Sequence, residues 1–397
     1  MTQLLLEKDN LAARLQPHKQ KKAPASLFSF FSGAGFLDLG FESERFRIEY
    51  VNEIHAPFLK GYRYSREMRG IGMPEFGCHE LDIAELHKGN TKNDLKTFIR
   101  RARITAEAIG FIGGPPCPDF SIGGKNRGHK GENGKLSGNY IELVCEQKPD
   151  FFLFENVKGL WQTKRHRDFY ETIKIKTQNA GYVTTERLIN AIEYGVPQDR
   201  DRIILIGFHK SVLKNLGYKF NNPQGDLADV FPWLKNTDYQ SEKVFSLSWP
   251  GSEPFKVDSK KLCPKQVIEP LTVEHWFKKN DVLNHPNSAD CFKPRAGLAK
   301  FLTVQEGDDS RKSYKRLHRW RYSPTACYGN NEVHLHPYKA RRISVAEALA
   351  IQSLPKDFVL PSEMGLTNLF KTVGNGVPFL VARGLAKSIA SFLKGDL

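Results

Sequence analysis

Cys117 is the residue whose type and surroundings point most directly to chemistry, and it lies in the proline-rich segment 113–118. Prolines fix φ and remove backbone donors, so this segment cannot form a helix or a central strand. It predicts a stiff loop that keeps the thiol out of ordinary core packing. A lone cysteine is by default a buried, inert core residue, and Cys145 in a helical stretch fits that default. If nearby positive charge favours the thiolate, Cys117 is instead an effective nucleophile.

The segment that follows Cys117, residues 121–135, is rich in glycine and basic side chains. Its glycine and basic residues include Gly123, Gly124, Lys125, Arg127, Lys130 and Lys135. A loop of this composition can move and can contact phosphates. A flexible, solvated loop explains the same composition, and both interpretations can hold together.

A carboxylate and two arginines form the next set. Glu155 follows the apolar run 151–154, and burial at such a rim favours the protonated carboxyl, which would be a proton donor. A helix-capping or solvated acid is the alternative. Gln198, Arg200 and Arg202 alternate along the chain, so in an extended segment they point to the same side. They predict a polar, cationic face, unless this is an exposed edge strand whose arginines pair with the two intervening aspartates.

A glycine turn at Gly33 and Gly35 follows the first apolar run and opens a helical stretch. Glycines let the backbone turn tightly and let a ligand approach closely. There is no third glycine at the dinucleotide spacing and no phosphate-loop pattern. Glu53, at the end of the second predicted strand, suits ribose hydroxyls, and Asp82 after the third suits an adenine amino group. The set predicts a nucleoside cofactor without phosphates; a structural turn with solvated acids is the alternative.

Alternating strand and helix patterns would position these side chains. Apolar runs predict strands at 27–31, 48–51, 109–112, 151–154 and 203–208, and helical periodicity predicts helices at 35–44, 56–68, 92–102, 137–147 and 166–180. The alternation predicts an α/β fold with a mostly parallel sheet covered on both faces. Ligands in such sheets bind at the carboxyl ends of the strands, where the residues above fall.

The 397 residues allow one large domain and a smaller one. Residues 215–338 are rich in proline, asparagine, lysine and aromatic residues without a clear period, and we expect a loop-rich small domain there. Helical patterns return at 342–354 and 377–393, so the chain end should pack back onto the large domain. We therefore predict an N-terminal extension at 1–24 with a short charged helix at 2–20, and a catalytic domain at 25–214 and 339–397.

The composition is that of a soluble globular protein, with 40% hydrophobic and 26% charged residues. Charged residues interrupt the N-terminal apolar stretch, which argues against a signal peptide or membrane span. None of the six cysteines forms a C-x-x-C pair, so we expect free thiols in a reducing compartment and no metal site.

Basic residues outnumber acidic ones by 59 to 44, a formal net charge of +15, which favours binding to polyanions. Residues 311–322, RKSYKRLHRWRY, place six basic residues among Tyr314, Trp320 and Tyr322. This mixture suits phosphate contact and base stacking, although a solvated basic face is the alternative.

Together these segments resemble the DNA (cytosine-5) methyltransferase family of the bacterial restriction–modification type. The resemblance runs from about residue 27 to the C-terminus, except for the variable middle. The motifs on which the resemblance rests are the glycine turn, the Pro-Pro-Cys loop, 155–157 (ENV), 198–202 (QDRDR), 342–348 (RISVAEA) followed by Gln352 and Pro355, and 374–378 (GNGVP). The chain departs from the common pattern at Pro118, where the family often has Gln, and at Gly376, where Ala or Ser is common and the change looks small.

The resemblance implies a Rossmann-like fold that binds S-adenosylmethionine (SAM), and transfer of a methyl group to C5 of a cytosine flipped out of duplex DNA. Cys117 would attack C6 of the base. Glu155 would contact N3 and the amino group and supply a proton. Arg202, with Arg200 behind it, would hold O2 and orient Glu155. The variable middle, residues 215–338, would be the target-recognition domain.

The resemblance also implies a set of cofactor-binding residues. Phe31 would stack on the adenine with Ile54 on its other face, while Glu53 would bind ribose and Asp82 with Ile83 the adenine edge. Asn375 would support the same region, and the remaining members of the implied set are Gly33, Gly35 and Pro116.

The resemblance implies that the partner is double-stranded DNA and that the enzyme is a monomer, located in the bacterial cytoplasm at the nucleoid. A cognate restriction endonuclease is a further implied partner, in function rather than in a stable complex. Two other functions stay open. One branch that resembles this family methylates cytosine in tRNA, although the sizeable basic middle favours DNA. An inactive DNA-binding regulator is the second, and intact Cys117, Glu155, Arg200 and Arg202 argue against it.

Overall fold

The computed structural model describes residues 23–116, 132–218, 226–294, 298–328 and 332–395. Cys117, Pro118, the predicted helix at 2–20 and most of the glycine-rich loop after Cys117 lie outside the described residues.

A seven-stranded sheet forms the centre of the protein. Its strands are β1 Ser26–Phe30, β2 Arg47–Asn52, β3 Cys78–His79, β4 Ile109–Gly113, β5 Phe151–Val157, β6 Tyr182–Asn190 and β7 Asp201–His209. Their order is β3-β2-β1-β4-β5-β7-β6. All neighbours pair in parallel except β5 with β7 and β6 with β7, which are antiparallel. The predicted α/β fold with a mostly parallel sheet is confirmed.

Thirteen α-helices lie in the part of the chain that the structure describes. They are α1 Phe36–Ser43, α2 Ala56–Met68, α3 Gly89–Thr105, α4 Glu132–Gln147, α5 Lys158–Gln162, α6 Lys164–Asn179, α7 Lys210–Asn215, α8 Ser241–Phe245, α9 Val273–Lys279, α10 Leu298–Thr303, α11 Val345–Ile351, α12 Leu366–Asn375 and α13 Phe379–Lys394. The predicted helix at 56–68 matches α2 at both ends. The sequence analysis does not predict helix α12. It also does not predict strand β6, because the Thr-Thr-Glu-Arg run in this strand hides its alternation.

Helices cover both faces of the sheet. On one face the strands pack against α1, α2 and α13, and on the other against α3, α4 and α6. β5 begins with four fully buried residues, which is why its sequence is a continuous apolar run rather than an alternating one. Helix α13 places Val381, Leu385 and Ile389 in the core, so the predicted return of the chain end to the large domain is confirmed.

Helices α12 and α13 together have the length and apolar composition of a membrane span, but 61% of that apolar window is buried inside the protein. Burial inside the protein, of α13 against the sheet and of α12 in the cluster that includes α11, accounts for their composition, as it does for other core helices.

The middle of the chain contains only short helices and isolated strand pairings among its described residues. Its first part packs on the sheet domain: Leu227 and Phe231 join the core around α13, and Trp233 Nε1 donates to Thr185 Oγ1 at 2.9 Å. Its later part, including α9, packs against α11. The boundaries at 215 and 338 remain a prediction.

Candidate functional site

Glu155 and Arg202 meet at one end of the sheet. They lie on neighbouring antiparallel strands, where Val157 is opposite Arg202, so both side chains project from the same face. Arg202 Nε lies 2.8 Å from Glu155 Oε1, and the two side chains are only 15% and 10% exposed. The structure thus brings these two predicted residues together as an ion pair that still borders solvent.

The loop leading to Cys117 lies directly against this pair. β4 ends at Gly113, and a Cβ added to Gly114 would lie 2.7 Å from Glu155 Oε2. Asn156 Nδ2 donates to the carbonyl of Pro115 at 3.5 Å. The backbone can approach the carboxylate this closely only because residue 114 has no side chain. Pro116 is the last described residue before Cys117.

Arg200 occupies a different position from Arg202. Its guanidinium is fully buried and donates to the carbonyls of Ala326 at 3.1 Å, Gly374 at 2.9 Å and Gly376 at 3.2 Å. Burial lowers the pKa of Arg200, and the charge of Arg202 lowers it further. Arg200 therefore ties its own segment to two others, one at Ala326 and one at residues 374–376.

Gln198 and Gln352 complete the support under Arg200. Gln198 Nε2 donates to Gln352 Oε1 at 3.2 Å, and Ala326 N donates to Gln198 Oε1 at 3.1 Å. Gln352 also donates to the carbonyl of Val373 at 2.5 Å. The sequence marked both glutamines as members of motifs but gave no reason to pair them across 154 residues.

The glycine turn and Glu53 form a second site at the ends of β1 and β2. Glu53 Oε2 accepts from Gly33 N at 2.9 Å, and Oε1 accepts from His55 N at 2.8 Å. Burial raises the pKa of the Glu53 carboxyl, although the backbone donors of His55 and Gly33 oppose that shift. Gly35 has φ +85° and precedes α1, and a Cβ there would lie 2.7 Å from the Tyr62 ring. Both glycines thus have a structural reason for their identity.

The predicted adenine-binding residues follow the ends of β1, β2 and β3. Phe31 has φ +54° and packs edge-on against Tyr140, with ring centroids 6.3 Å apart. Ile54 is 57% exposed, which leaves an apolar side chain open to a ligand. Asp82 Oδ1 accepts from Ala84 N at 2.8 Å and caps a 3₁₀ helix that starts at Ile83, whose side chain is buried.

Asn375 ends the predicted set, and Gly376 follows it in the chain. Asn375 is exposed at the C-terminus of α12. A Cβ at position 376 would lie 2.2 Å from Cδ2 of Phe36, the first residue of α1. The expectation that glycine is a small change here is wrong for this chain, since the Phe36 ring fills the space that alanine or serine would need.

The basic segment 311–322 is largely internal. Arg316, Arg319 and Trp320 are at most 4% exposed, and Arg319 pairs with the buried Glu306 at 2.8 Å. These side chains are engaged within the protein, so the interpretation of the whole segment as a DNA-contacting surface is wrong for them. Arg311 and Lys312 are exposed.

A mostly parallel sheet of this order, with a glycine turn after β1 and carboxylates after β2 and β3, is typical of the methyltransferase class of α/β proteins. A family model for C-5 cytosine-specific DNA methylases matches residues 25–391. The chain belongs to this family, and it is a SAM-dependent DNA cytosine-C5 methyltransferase.

Individual relatives support this assignment. The Type II methyltransferase M.NmeDI of Neisseria meningitidis serogroup C is 52% identical over 376 residues, which cover 95% of this chain and 86% of the relative. M.XorII of Xanthomonas oryzae pv. oryzae is 34% identical and covers 92% of this chain and 84% of its own length.

Among solved structures, a putative DNA modification methyltransferase from an E. coli prophage has a TM-score of 0.60 at 20% identity, covering 93% of this chain and 99% of its own. The S. pombe Dnmt2 methyltransferase has a TM-score of 0.57 at 13% identity, with coverage of 93% and 98%. At these identities the similarity shows the fold.

The residues of the second site fit SAM. Phe31 and Ile54 offer apolar contact for a base, and the Glu53 carboxylate retains acceptor capacity beyond its two backbone donors. Beside Glu53, Ser32 Oγ and His55 Nδ1 are buried without a hydrogen-bond partner among the described residues. Buried polar atoms of this kind are usually satisfied by a ligand or water.

Proposed function

We propose that this enzyme methylates a cytosine flipped out of a specific duplex DNA sequence, and that Cys117 is its covalent nucleophile. The observation that supports the proposal most strongly is that Gly114 lies against the carboxylate of Glu155 and that Asn156 donates to the carbonyl of Pro115, because the chain continues from these residues to Cys117. A stacked base is out of reach of such a pocket, so it has to be extruded, at a cost of roughly a few kcal/mol.

In the proposed reaction, the Cys117 thiolate attacks C6 of the base, and a carbon–sulfur bond forms while electron density moves onto the ring. Glu155 donates a proton to N3, and Arg202 holds O2 and keeps the carboxyl oriented. C5 is then nucleophilic and accepts the methyl group. Loss of the C5 proton to a base, return of the N3 proton to Glu155 and expulsion of the Cys117 thiolate restore the neutral aromatic ring.

SAM, when bound, supplies an electrophilic methyl group on its sulfonium. Glu53 would hold its ribose, Phe31 and Ile54 its adenine ring, and Asp82 with Ile83 the adenine edge, while Gly33, Gly35, Pro116 and Asn375 would line the same pocket. Arg200 acts behind the site as a positioning residue, since its donors are directed to carbonyls of the supporting segments.

The relatives that are called Type II methyltransferases suggest the biological setting. We propose that the chain is a monomeric modification enzyme of a restriction–modification system, acting on nucleoid DNA in the cytoplasm, with residues 215–338 as its target-recognition domain. Failure of the expressed enzyme to protect DNA from any tested restriction nuclease would count against this setting.

Bisulfite sequencing of DNA from cells that express the chain tests the proposed function. We expect 5-methylcytosine at one short recurring sequence, and none in cells that express Cys117→Ser. A parallel assay with purified enzyme, duplex DNA and tRNA separates the two substrates, and transfer to tRNA alone would overturn the proposal. Binding of SAM and DNA without any transfer would instead indicate the regulatory function.

A further inference from the structure

An exposed loop in the middle of the chain combines basic and apolar side chains. We call residues 249–266, between α8 and the 3₁₀ helix Glu269–Leu271, the lysine loop. Leu262 is 94% exposed, the highest value among the exposed large hydrophobic residues of the described chain. Exposed lysines precede and follow it, at Lys256, Lys260 and Lys265. Single exposed leucines are common on protein surfaces, so exposure alone would not single out Leu262.

An ion cluster around the buried Arg319–Glu306 pair holds this loop in place. Glu253 and Glu306 exchange two backbone hydrogen bonds of 2.9 Å. The guanidinium of Arg319 pairs with Glu306 at 2.8 Å and donates to both the hydroxyl and the carbonyl of Ser259. Lys261 bridges the carboxylates of Glu253 and Glu306. The base of the loop therefore has charge-assisted contacts, which are stronger than ordinary hydrogen bonds.

Two further arginines of the segment 311–322 hold the same loop. The Arg316 guanidinium lies 3.7 Å from the centroid of the Phe255 ring. Arg321 donates to the carbonyl of Pro250 at 3.4 Å. Basic residues that first suggested a DNA-binding surface thus hold the lysine loop from below, and the loop's own lysines remain exposed.

A short stretch of chain joins Arg319, at the base of the lysine loop, to the segment that supports the Glu155 site. Ser323 pairs with Gln198, and Ala326, seven residues after Arg319, accepts from Arg200. Seven extended residues span at most about 25 Å, whereas stacked bases are about 3.4 Å apart along a strand. The base of the lysine loop therefore lies within about seven base steps of the segment that Arg200 holds beneath the Glu155 site.

The charges of the loop suit a polyanion. The acidic groups within it are Glu253, which Lys261 and His318 engage, and the exposed Asp258. Three lysines are exposed, as described above, so positive charge predominates at its surface. An exposed leucine between lysines matches the two contact types that DNA readers combine, apolar contact with bases and cationic contact with phosphates.

We propose that the lysine loop is a sequence-reading element of this enzyme, in which Leu262 contacts a base of the target and Lys260 and Lys265 contact phosphates. The proposal rests on the proposed function and adds to it the residues that select the substrate. Arg319 and Glu306 are then positioning residues, which act on DNA through the loop.

Purified Leu262→Ala tests the base contact. kcat/KM would be measured on the unmodified duplex that the wild type methylates and on duplexes in which each base pair of the recognition site is changed in turn. We expect Leu262→Ala to lose about tenfold of the discrimination at one position, with unchanged affinity for SAM. Ile104→Ala is the matched control, because Ile104 is 83% exposed on α3, a helix that covers the sheet far along the chain from this loop.

Lys260→Ala tests the phosphate contact. It should weaken binding of all duplexes alike and reduce the slope of log affinity against log salt by about one. If Leu262→Ala matches the wild type on every duplex, the reading role is overturned. If the wild type methylates no duplex, the proposed function fails separately. Fluorescence anisotropy on the same duplexes then tests the reading role of the lysine loop, and equal affinities of the wild type and Leu262→Ala for each duplex would refute that role.

Discussion

Two glutamate–arginine pairs with the same closest distance have different surroundings in this protein. Arg202 meets Glu155 at 2.8 Å at the end of the sheet, and Arg319 meets Glu306 at 2.8 Å in the middle of the chain. The first pair is 15% and 10% exposed at its side chains, and the second is 3% and 1% exposed. The distance between the partners therefore does not distinguish the site from the scaffold.

The remaining hydrogen-bonding capacity does distinguish them. Glu306 accepts from the backbone N, Nε and Nη2 of Arg319, and Arg319 also donates to Ser259. Glu155 is held by Arg202 and borders a glycine, so its carboxylate can accept a further hydrogen bond from a base, and its protonated form can donate one. The Glu155–Arg202 pair thus differs from the Arg319–Glu306 pair because its neighbours leave part of its hydrogen-bonding capacity unused, at an edge of the sheet that borders solvent.

Glu155→Gln should have the largest effect on catalysis. The amide cannot deliver a proton to N3, so we expect kcat to fall by about 100- to 10,000-fold. Because the pair borders solvent, the melting temperature should change little. Steady-state methyl transfer on the cognate duplex and thermal melting check both halves, and retention of wild-type kcat would remove Glu155 from the chemistry.

Glu306→Gln should give the converse result. It leaves Arg319 buried without its anionic partner, which typically destabilises a protein by about 3–5 kcal/mol. Thermal and denaturant melting would measure the loss. At a temperature where the variant is folded, single-turnover transfer on saturating DNA should be near that of the wild type. A stable variant with a slow chemical step would mean that the two pairs are not different in kind.

Gly114→Ala probes the space beside Glu155. The new Cβ would lie 2.7 Å from Oε2, and the end of the glutamate side chain would have to move to relieve that contact. We expect kcat to fall about tenfold, because small displacements of catalytic groups are costly, while stability changes little. Gly138→Ala, where a Cβ would meet nothing within 4 Å, is the control.

Asp38 is a buried carboxylate whose closest partner is a serine rather than an arginine: Ser29 Oγ donates to Oδ1 at 2.6 Å. Burial raises its pKa from 3.8 to about 7, and the negative charge of Glu42 adds to the shift, whereas the bond from Ser29 and the charge of Arg66 oppose it. The folded protein therefore holds this proton more tightly than the unfolded chain.

The stability that Asp38 contributes is fully present below about pH 4 and is lost as the pH rises through about 7. We expect the melting temperature of the wild type to fall from pH 5 to pH 8 by about 3 °C more than that of Asp38→Asn. Parallel pH profiles of the two proteins would indicate that Asp38 titrates near its ordinary value.

Much of the fold follows from local sequence patterns, because apolar runs and helical periodicity are local properties of the chain. Helix α2 matches its prediction at both ends, and the ends of β1, β2 and β5 present the predicted acids and glycines. The sequence does not predict β6, because its central run of two buried threonines followed by Glu186 and Arg187 is polar and does not alternate.

The site was predictable where residue type and strand position agree, as for Glu155 and Arg202. Arg316 and Arg319 were misinterpreted because composition does not report which way a side chain faces. Their burial depends on partners such as Phe255 and Glu306, which are distant in sequence or set in irregular loops. The contact of Gly376 with Phe36 was likewise invisible in either motif alone.

The most direct test of the central claim is covalent trapping on duplex DNA that carries 5-fluorocytosine at the target position. Fluorine at C5 cannot leave as a proton does, so attack at C6 followed by methyl transfer should leave the enzyme bonded to DNA. With SAM present, we predict a protein–DNA band that survives denaturation for the wild type and is lost in Cys117→Ser. A wild-type enzyme that binds both SAM and this duplex yet forms no such band would contradict the claim.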